Sequence, residues 1–205
     1  MNRESRTRWA AEALTTLRLM AVTLFACSLV YPSVVRALAR ICTPYTAEGW
    51  LLVDGQGAVI GSEIIAQPFS RPGYFWPRPS AVGYDGTSSG GSNLAATSGQ
   101  LRRNAVAGIE RLAGGPGRPV PADLLTSSGS GLDPHISLAA AEYQLPRVAK
   151  ARGAPAAMVR ALLRRRVFAA GGWLAPEPIV NVLLLNRDLD TLGSGGPEKM
   201  GGLHE

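Results

Sequence analysis

Four side chains within one short segment could carry out acyl-transfer chemistry. Ser128, Ser130, Asp133 and His135 supply the residue types of a serine hydrolase triad. In that triad a histidine takes the serine proton and a carboxylate orients the histidine. The sequence around Ser130 departs from the G-x-S-x-G turn, because Ser128 stands at the first glycine position. Triad residues also normally come from separate elements. We therefore interpret His135 as a structural residue that leads into a helix, and keep a serine hydrolase using Ser130 and His135 as the alternative.

Chemistry driven by ATP or by a metal ion is not indicated either. The sequence contains no G-x-x-x-x-G-K-[ST] phosphate-binding loop and no Asp-Lys-Thr-Gly sequence, which ATPases that form an aspartyl phosphate require. Only two histidines and two cysteines are present, without the spacing of metal ligands. We therefore predict that the chain has no catalytic residues and no cofactor or metal of its own.

Two long loops offer a site of another kind, for docking a protein partner. Aromatic and arginine side chains on a proline-fixed loop, as in the segment 74–78, suit such contacts. A loop as long as 70–93 is uncommon inside a domain and is often functional. The alternative, which we favour for the aromatic cluster, is that it folds under its own loop. The docking candidates on this loop and on 120–135 are Tyr74, Phe75, Trp76, Arg78, Ser92, Asn93, Asp133 and His135.

The basic charge of the chain is concentrated near its beginning. The 205 residues include 21 Lys and Arg against 15 Asp and Glu, a net charge of +6 with a pI near 9.9. A pI this high is typical of nucleic-acid-binding proteins. However, residues 1–40 carry +4 of the total and the remaining 165 residues only +2. We therefore predict no nucleic-acid partner and assign the excess charge to an N-terminal segment.

The composition of that segment predicts a membrane span. Residues 19–35 contain no charged side chain and are framed by Arg18 and Arg36. As a helix they cover roughly 26 Å, which neighbouring apolar residues extend. We predict a transmembrane helix over 14–39 and contact with lipid. A signal peptide cleaved after residues 37–39 is the alternative. The excess of arginines before the span predicts that the N-terminus lies in the cytoplasm.

The resulting organisation has four parts. Residues 1–13 form a cytoplasmic N-terminus and residues 14–39 the membrane helix. Residues 40–192 form one extracytoplasmic α+β domain, and residues 193–205 a flexible tail. Cys27 lies in the span and Cys42 beyond it, so we expect no disulfide between them.

Within the domain, alternating strand and helix patterns support the α+β class. The runs 51–53 and 58–60 flank a DGQG turn sequence and predict a hairpin. Apolar residues at helical spacing predict helices over 98–113, 137–151 and 155–168.

Two further features of the domain lead to specific expectations. Pro146 lies inside the second of these helices and is expected to bend or divide it. The aliphatic run 179–185 predicts a buried strand, with a short helix beginning near Asn186.

Several short segments between the span and Asp190 form a recognisable series of motifs. They are 61–67 (GSEIIAQ), 74–75 (YF), 78–81 (RPSA), 89–94 (SGGSNL), 120–137 (VPADLLTSSGSGLDPHIS), 143–153 (YQLPRVAKARG) and 181–190 (NVLLLNRDLD). In this order along the chain, they resemble the C subunit of the Kdp potassium-transporting P-type ATPase. Residues 95–99 depart from that family, which often has Gly-Pro-Thr-Asn-Pro there.

The resemblance implies a non-catalytic accessory subunit of a potassium import complex in the bacterial plasma membrane. Its partners would be a potassium-conducting, channel-like subunit and a P-type subunit that hydrolyses ATP. The family's C subunit is regarded as an assembly factor and as a catalytic chaperone that raises the ATP affinity of the hydrolysing subunit. A suggested nucleotide contact of the family corresponds to Gln144. If the domain is extracytoplasmic, Gln144 cannot meet cytoplasmic ATP, so we expect ATP to act through the partner subunit.

Overall fold

A long helix makes up most of the first fifty residues. It begins as α1 (Arg3–Phe25), passes through a π-helical turn (Ala26–Val30) and continues as α2 (Tyr31–Cys42). Its 32-residue stretch Ala11–Cys42 is long and apolar enough to cross a membrane, and none of that stretch is buried against other parts of the protein. Length and composition thus agree with the predicted span.

The π-helical turn has a cause in the sequence. Proline at position 32 lacks an N–H group, and in an α-helix its ring would clash with the carbonyl of Ser28. The wider turn relieves this conflict, and the N–H of Tyr31 bonds the carbonyl of Ala26, five residues back. The helix therefore continues past the proline.

A short segment after the helix carries groups typical of a membrane boundary. It contains α3 (Pro44–Ala47), and the ring centres of Tyr45 and Trp50 lie 5.0 Å apart. Arg40 forms an ion pair with Glu48, with 3.0 Å between nitrogen and oxygen. Tyrosine and tryptophan are enriched where membrane helices meet water.

The structure is a computed structural model that describes residues 3–171 and 177–193. Contacts divide it into two compact units, Met1–Trp50 and Leu51–Glu205. Most of the predicted tail, 194–205, lies outside the described residues.

The second unit begins with the predicted hairpin. Strands β1 (Leu51–Val53) and β2 (Val59–Ser62) pair antiparallel. In the turn, a carboxylate oxygen of Asp54 accepts hydrogen bonds from the N–H groups of Gln56 and Ala58. The hairpin prediction is confirmed.

A three-stranded antiparallel sheet forms the other β element. Its strands are β3 (His135–Ser137), β4 (Val167–Phe168) and β5 (Ile179–Asn181), in the order β3-β5-β4. His135 leads into the next helix through this strand, in which it pairs with Asn181, and the sequence did not predict the strand. A three-residue strand whose partner lies more than forty residues away leaves little local pattern to recognise.

Helices fill the rest of the unit near the predicted positions, and Ser98 and Ser137 cap two of them through their hydroxyl oxygens. The α-helices are α4 (Gly99–Arg111), α5 (Leu138–Arg152), α6 (Ala156–Arg166) and α7 (Val182–Gly193), and a 3-10 turn spans Ala122–Leu124. Gly153 ends α5 at φ 62°.

Pro146 does not divide α5. The proline has no N–H group to bond the carbonyl of Glu142, but both residues are exposed, so water can bond that carbonyl instead.

The run 179–185 is not one strand. It changes to helix after three residues, because the side-chain oxygen of Asn181 accepts a hydrogen bond from the N–H of Leu184 and so caps α7. The helix therefore begins at Val182, four residues before the predicted start at Asn186.

The core lies between the sheet and helices α5, α6 and α7, which confirms the α+β class for this unit. Its buried members come mainly from these elements, with Phe75 contributed by the long loop. They are Phe75, Leu124, Ile136, Ala140, Ala141, Leu145, Val148, Ala149, Val159, Leu163, Val180, Val182, Leu185 and Leu189. Phe75 thus fixes the loop to the helices.

Candidate functional site

Two buried side-chain amides hold the aromatic segment of the long loop. Gln144 on α5 accepts a hydrogen bond from the N–H of Trp76 (2.8 Å) and donates one to its carbonyl (3.0 Å). Asn186 on α7 does the same with Phe75, at 2.8 and 3.0 Å. Each amide is 1% exposed. A side-chain amide carries an acceptor and donors like a peptide group, so the two residues pair with the loop as a neighbouring strand would.

Two arginines bind the main chain just before these residues. Arg147 donates to the carbonyls of Pro72 (2.6 Å) and Tyr74 (3.0 Å), and also to the side-chain oxygen of Gln144 (2.6 Å). Arg152 donates to the carbonyl of Gly73 at 2.6 Å. The loop is therefore held along five consecutive residues, 72–76.

A partly buried ion pair connects this loop to α7. Arg152 pairs with Asp190 at 2.7 Å, and the hydroxyl of Tyr74 donates to both oxygens of that carboxylate, at 3.0 and 3.1 Å. Burial, followed by the negative charge of Asp190, raises the pKa of Tyr74 above its usual value. The tyrosine therefore stays a neutral donor at physiological pH.

The aromatic cluster is thus divided between core and surface. Phe75 is fully buried and belongs to the main hydrophobic core, not to a separate cluster under its own loop. Trp76 is half-buried, and its indole nitrogen donates to the carbonyl of Arg71 at 3.1 Å. Partner docking through Tyr74, Phe75 or Trp76 stays a prediction, and Trp76 offers the surface for it.

Three other docking candidates form one polar group. Arg78 lies 3.5 Å from a carboxylate oxygen of Asp133, and the other oxygen accepts a hydrogen bond from the N–H of His135 and lies 3.1 Å from its Nδ1. Burial opposes ionisation of Asp133, but these hydrogen bonds from His135 and the charges of His135 and Arg78 hold its pKa below the usual value. The group links the two long loops.

The geometry gives no support to the serine hydrolase alternative. Ser130 uses its hydroxyl oxygen to accept a hydrogen bond from the N–H of Leu132. Nδ1 of His135 faces Asp133, and within residues 3–171 and 177–193 no hydrogen bond joins Ser130 to His135. A triad requires that bond or a near approach to it.

The two candidate docking loops pack against each other through glycines. The N–H of Gly90 bonds the carbonyl of Ser130 at 2.8 Å, and the hydroxyl of Ser80 bonds the carbonyl of Gly131 at 2.6 Å. Gly131 has φ +70°, and a Cβ there would stand 2.7 Å from the carbonyl oxygen of Gly90. Only glycine fits this position without strain.

Replacing Gly131 with alanine should lower the free energy of unfolding by about 2 kcal/mol. Alanine is strained at this φ, and its Cβ would clash with the carbonyl oxygen of Gly90. Gly129→Ala is the matched control, since a Cβ there meets nothing within 4 Å. Thermal unfolding of the full-length chain in detergent measures both. Equal stability of the two variants would contradict the tight packing of the loops.

The remaining candidates lie on the surface. Ser92 and Asn93 are exposed, and Asn93 has φ 52°, a conformation that asparagine tolerates better than most residues. Among the described residues no group of three His, Cys, Asp or Glu side chains could hold a metal ion. Cys27 and Cys42 are both free.

Comparison with known proteins decides the family. The family model described as "K+-transporting ATPase, c chain" matches residues 13–191. The chain belongs to the KdpC family. The match covers most of the apolar helix and most of the second unit.

Individual relatives of the KdpC family support the assignment over nearly their full length. The potassium-transporting ATPase KdpC subunit of Parvibaculum lavamentivorans is 45% identical over 183 residues, 89% of this chain and 98% of the relative. That of Myxococcus xanthus is 48% identical over 86% of each chain. That of Synechocystis is 43% identical over 85% of this chain and 95% of the relative. The chain is accordingly a potassium-transporting ATPase subunit with an accessory role in potassium transport.

Several residues that build the candidate site were not predicted from the sequence. Asn186, Arg147, Arg152 and Asp190 lie in segments used for the family resemblance, but no role was assigned to them. A signal was present for Asn186: it is a polar residue between Leu185 and Leu189 on the apolar face of a helix. A polar side chain at such a position is expected to be hydrogen-bonded.

Proposed function

We propose that this chain anchors and stabilises an ATP-driven, high-affinity potassium import complex and raises the ATP affinity of its hydrolysing subunit. The observation that carries the proposal is the family match over residues 13–191, which includes both the apolar helix and the folded unit. A potassium-conducting, channel-like subunit and a P-type ATP-hydrolysing subunit are the proposed partners.

Membrane anchoring belongs to the first unit. The helix Ala11–Cys42 exposes its apolar side chains throughout, as a helix surrounded by lipid or by another membrane protein would. Its small residues, such as Ala21 and Ser33, permit close approach to a neighbouring helix. We propose that this helix packs beside the potassium-conducting subunit.

The arginine distribution supports a cytoplasmic N-terminus and a second unit outside the bacterial plasma membrane. A cysteine placed at Gly117 tests this orientation in a Cys27→Ser, Cys42→Ser background. Gly117 is exposed and has open space around its Cα, so the substitution should not disturb folding. A membrane-impermeant maleimide added to spheroplasts with intact plasma membranes should label this cysteine. Labelling that appears only after lysis would reverse the proposed orientation.

The proposal does not include a direct contact between Gln144 and a nucleotide. The amide of Gln144 is buried and bonded to Trp76 and Arg147, so ATP would have to displace three hydrogen bonds to reach it. We propose that any effect on ATP affinity is transmitted through the partner subunits.

Co-purification tests the function. The tagged full-length chain is expressed with the two large subunits in cells that lack their own copy of this subunit. We expect all three to elute together from size-exclusion chromatography in detergent. Elution of the chain alone, while the other two stay together, would contradict the assembly role.

A further inference from the structure

Two arginines from helices α4 and α5 lie over the ring of Trp76, the surface residue of the long loop. The guanidinium of Arg147 lies 3.8 Å from the ring centre of Trp76, and that of Arg111, at the end of α4, lies 4.2 Å from it. Aromatic rings attract cations at this distance. The indole thus holds two like charges close together.

No carboxylate neutralises this pair within the described residues. Arg147 donates to the carbonyls of Pro72 and Tyr74 and to the Gln144 side chain, all of them uncharged. Neither arginine forms an ion pair in the part of the chain that the structure describes. Burial, followed by the charge of Arg111, lowers the pKa of Arg147 to about 10. An anion bound beside the pair would relieve this repulsion.

The two arginines differ in what they can still bind. The donors of Arg147 are largely used inside the protein. Arg111 is exposed, and over residues 3–171 and 177–193 its guanidinium makes no hydrogen bond. It is held over Trp76 with its donors free. A guanidinium fixed in this way can bind a carboxylate with two parallel hydrogen bonds.

We propose that Arg111 binds a carboxylate of a partner protein, with Trp76 positioning the guanidinium and Arg147 adding to the positive field. Exposed arginine beside tryptophan is also the composition of energetically dominant contacts in protein interfaces. The inference rests on the proposed function, in that the partner is a subunit of the same complex.

A single carboxylate fits this surface better than a phosphate group. Phosphate sites commonly combine several N–H donors, often at a helix N-terminus. Arg111 instead lies at the C-terminal end of α4, where the helix dipole is negative. The surroundings of Trp76 also include main-chain carbonyls, such as that of Arg71. Carbonyl oxygens repel negative charge, so a single free guanidinium among them suits an anion of single charge better than one of higher charge.

Zero-length cross-linking tests the proposal on the co-purified complex. Arg111→Lys keeps the positive charge and supplies an amine that a carbodiimide joins directly to a contacting carboxylate. Arg102→Lys, on the exposed side of the same helix, is the matched control. The native Lys150 and Lys199 are replaced by arginine in both. We expect a several-fold higher yield of cross-link from position 111, mapped by mass spectrometry to an acidic residue of a partner subunit.

Charge reversal gives an independent readout. Arg111→Glu should lower the co-purification yield several-fold relative to Arg102→Glu at low salt, and the difference should shrink as salt screens the contact. Thermal unfolding of both variants checks that they fold. Equal cross-linking and equal yields for positions 111 and 102 would overturn this inference and leave the proposed function standing. Failure of the unsubstituted chain to co-purify would overturn the proposed function as well.

The same variants distinguish a lipid as the source of the anion. Vesicles of phosphatidylglycerol and phosphatidylcholine are mixed with the purified chain reconstituted in nanodiscs of phosphatidylcholine. The proposal predicts that Arg111→Glu and Arg102→Glu change vesicle binding equally. Selective loss of vesicle binding for Arg111→Glu, without a protein cross-link in the Arg111→Lys variant, would assign the anion to lipid and overturn the proposal.

Discussion

Replacing Gln144 with alanine should lower the free energy of unfolding of the second unit by about 3 kcal/mol, or about 6–12 °C in Tm. The substitution leaves the N–H and carbonyl of Trp76 and one donor of Arg147 without their partner. Groups buried without a hydrogen bond cost more than the bond itself contributes. We therefore expect one of the largest effects of any single substitution in this chain.

Thermal unfolding of the full-length protein in detergent, followed by tryptophan fluorescence, measures the effect. Asn186→Ala should behave similarly, because its amide holds Phe75 in the same way. Combining the two should cost less than the sum, since both amides fix one stretch of loop. Gln100→Ala, an exposed glutamine on α4, is the matched control and should change stability by less than about 0.5 kcal/mol.

The stability of Gln144→Ala also decides how its effect on ATP should be interpreted. If the variant is destabilised as expected, reduced ATP affinity of the complex follows from a displaced loop and requires no nucleotide at Gln144. If the variant keeps the stability of the unsubstituted chain, and the isolated full-length protein binds ATP but the variant does not, then Gln144 is a nucleotide contact and its structural role is wrong.

Deleting residues 1–40 should release the second unit from the membrane and sharply reduce its recovery with the partner subunits. The apolar helix contributes on the order of several kcal/mol to membrane insertion. Its contacts belong to a separate compact unit, so the folded part should survive the deletion. Membrane fractionation and co-purification measure the two effects.

A replacement span separates anchoring from specific helix packing. Residues 14–39 are exchanged for an unrelated membrane helix of equal length. Restored membrane association without restored assembly would show that the native helix contacts a partner. If the replacement span restores membrane association and assembly, the role of the native helix is limited to anchoring. If the variant lacking residues 1–40 still assembles fully with the partner subunits, the helix neither anchors the chain for assembly nor contacts a partner.

The sequence predicted those elements whose signals are local. The hairpin follows from its turn residues, the capped helices from Ser98, Ser137 and Gly153, and the apolar helix from its composition. The strand at His135 was missed because its stability comes from pairing with Asn181, far along the chain. The change from strand to helix after Asn181 depends on one side-chain cap within an apolar run.

The site was less predictable for the same reason. Aromatic and arginine residues in a long loop indicated that the segment mattered, but not which side chains were buried. Phe75 was named as a docking candidate and lies in the core, whereas Arg111 was assigned no role and lies on the surface beside Trp76. Neither fact can be obtained without knowing how α4, α5 and α7 pack around the loop.

The ATP dependence of potassium-stimulated hydrolysis tests the proposed accessory function most directly. Membranes containing the two large subunits are compared with and without this chain, at equal amounts of the hydrolysing subunit. We expect that omitting the chain raises the ATP concentration needed for half-maximal hydrolysis and lowers the yield of intact complex. An unchanged ATP dependence together with an unchanged yield would contradict the account.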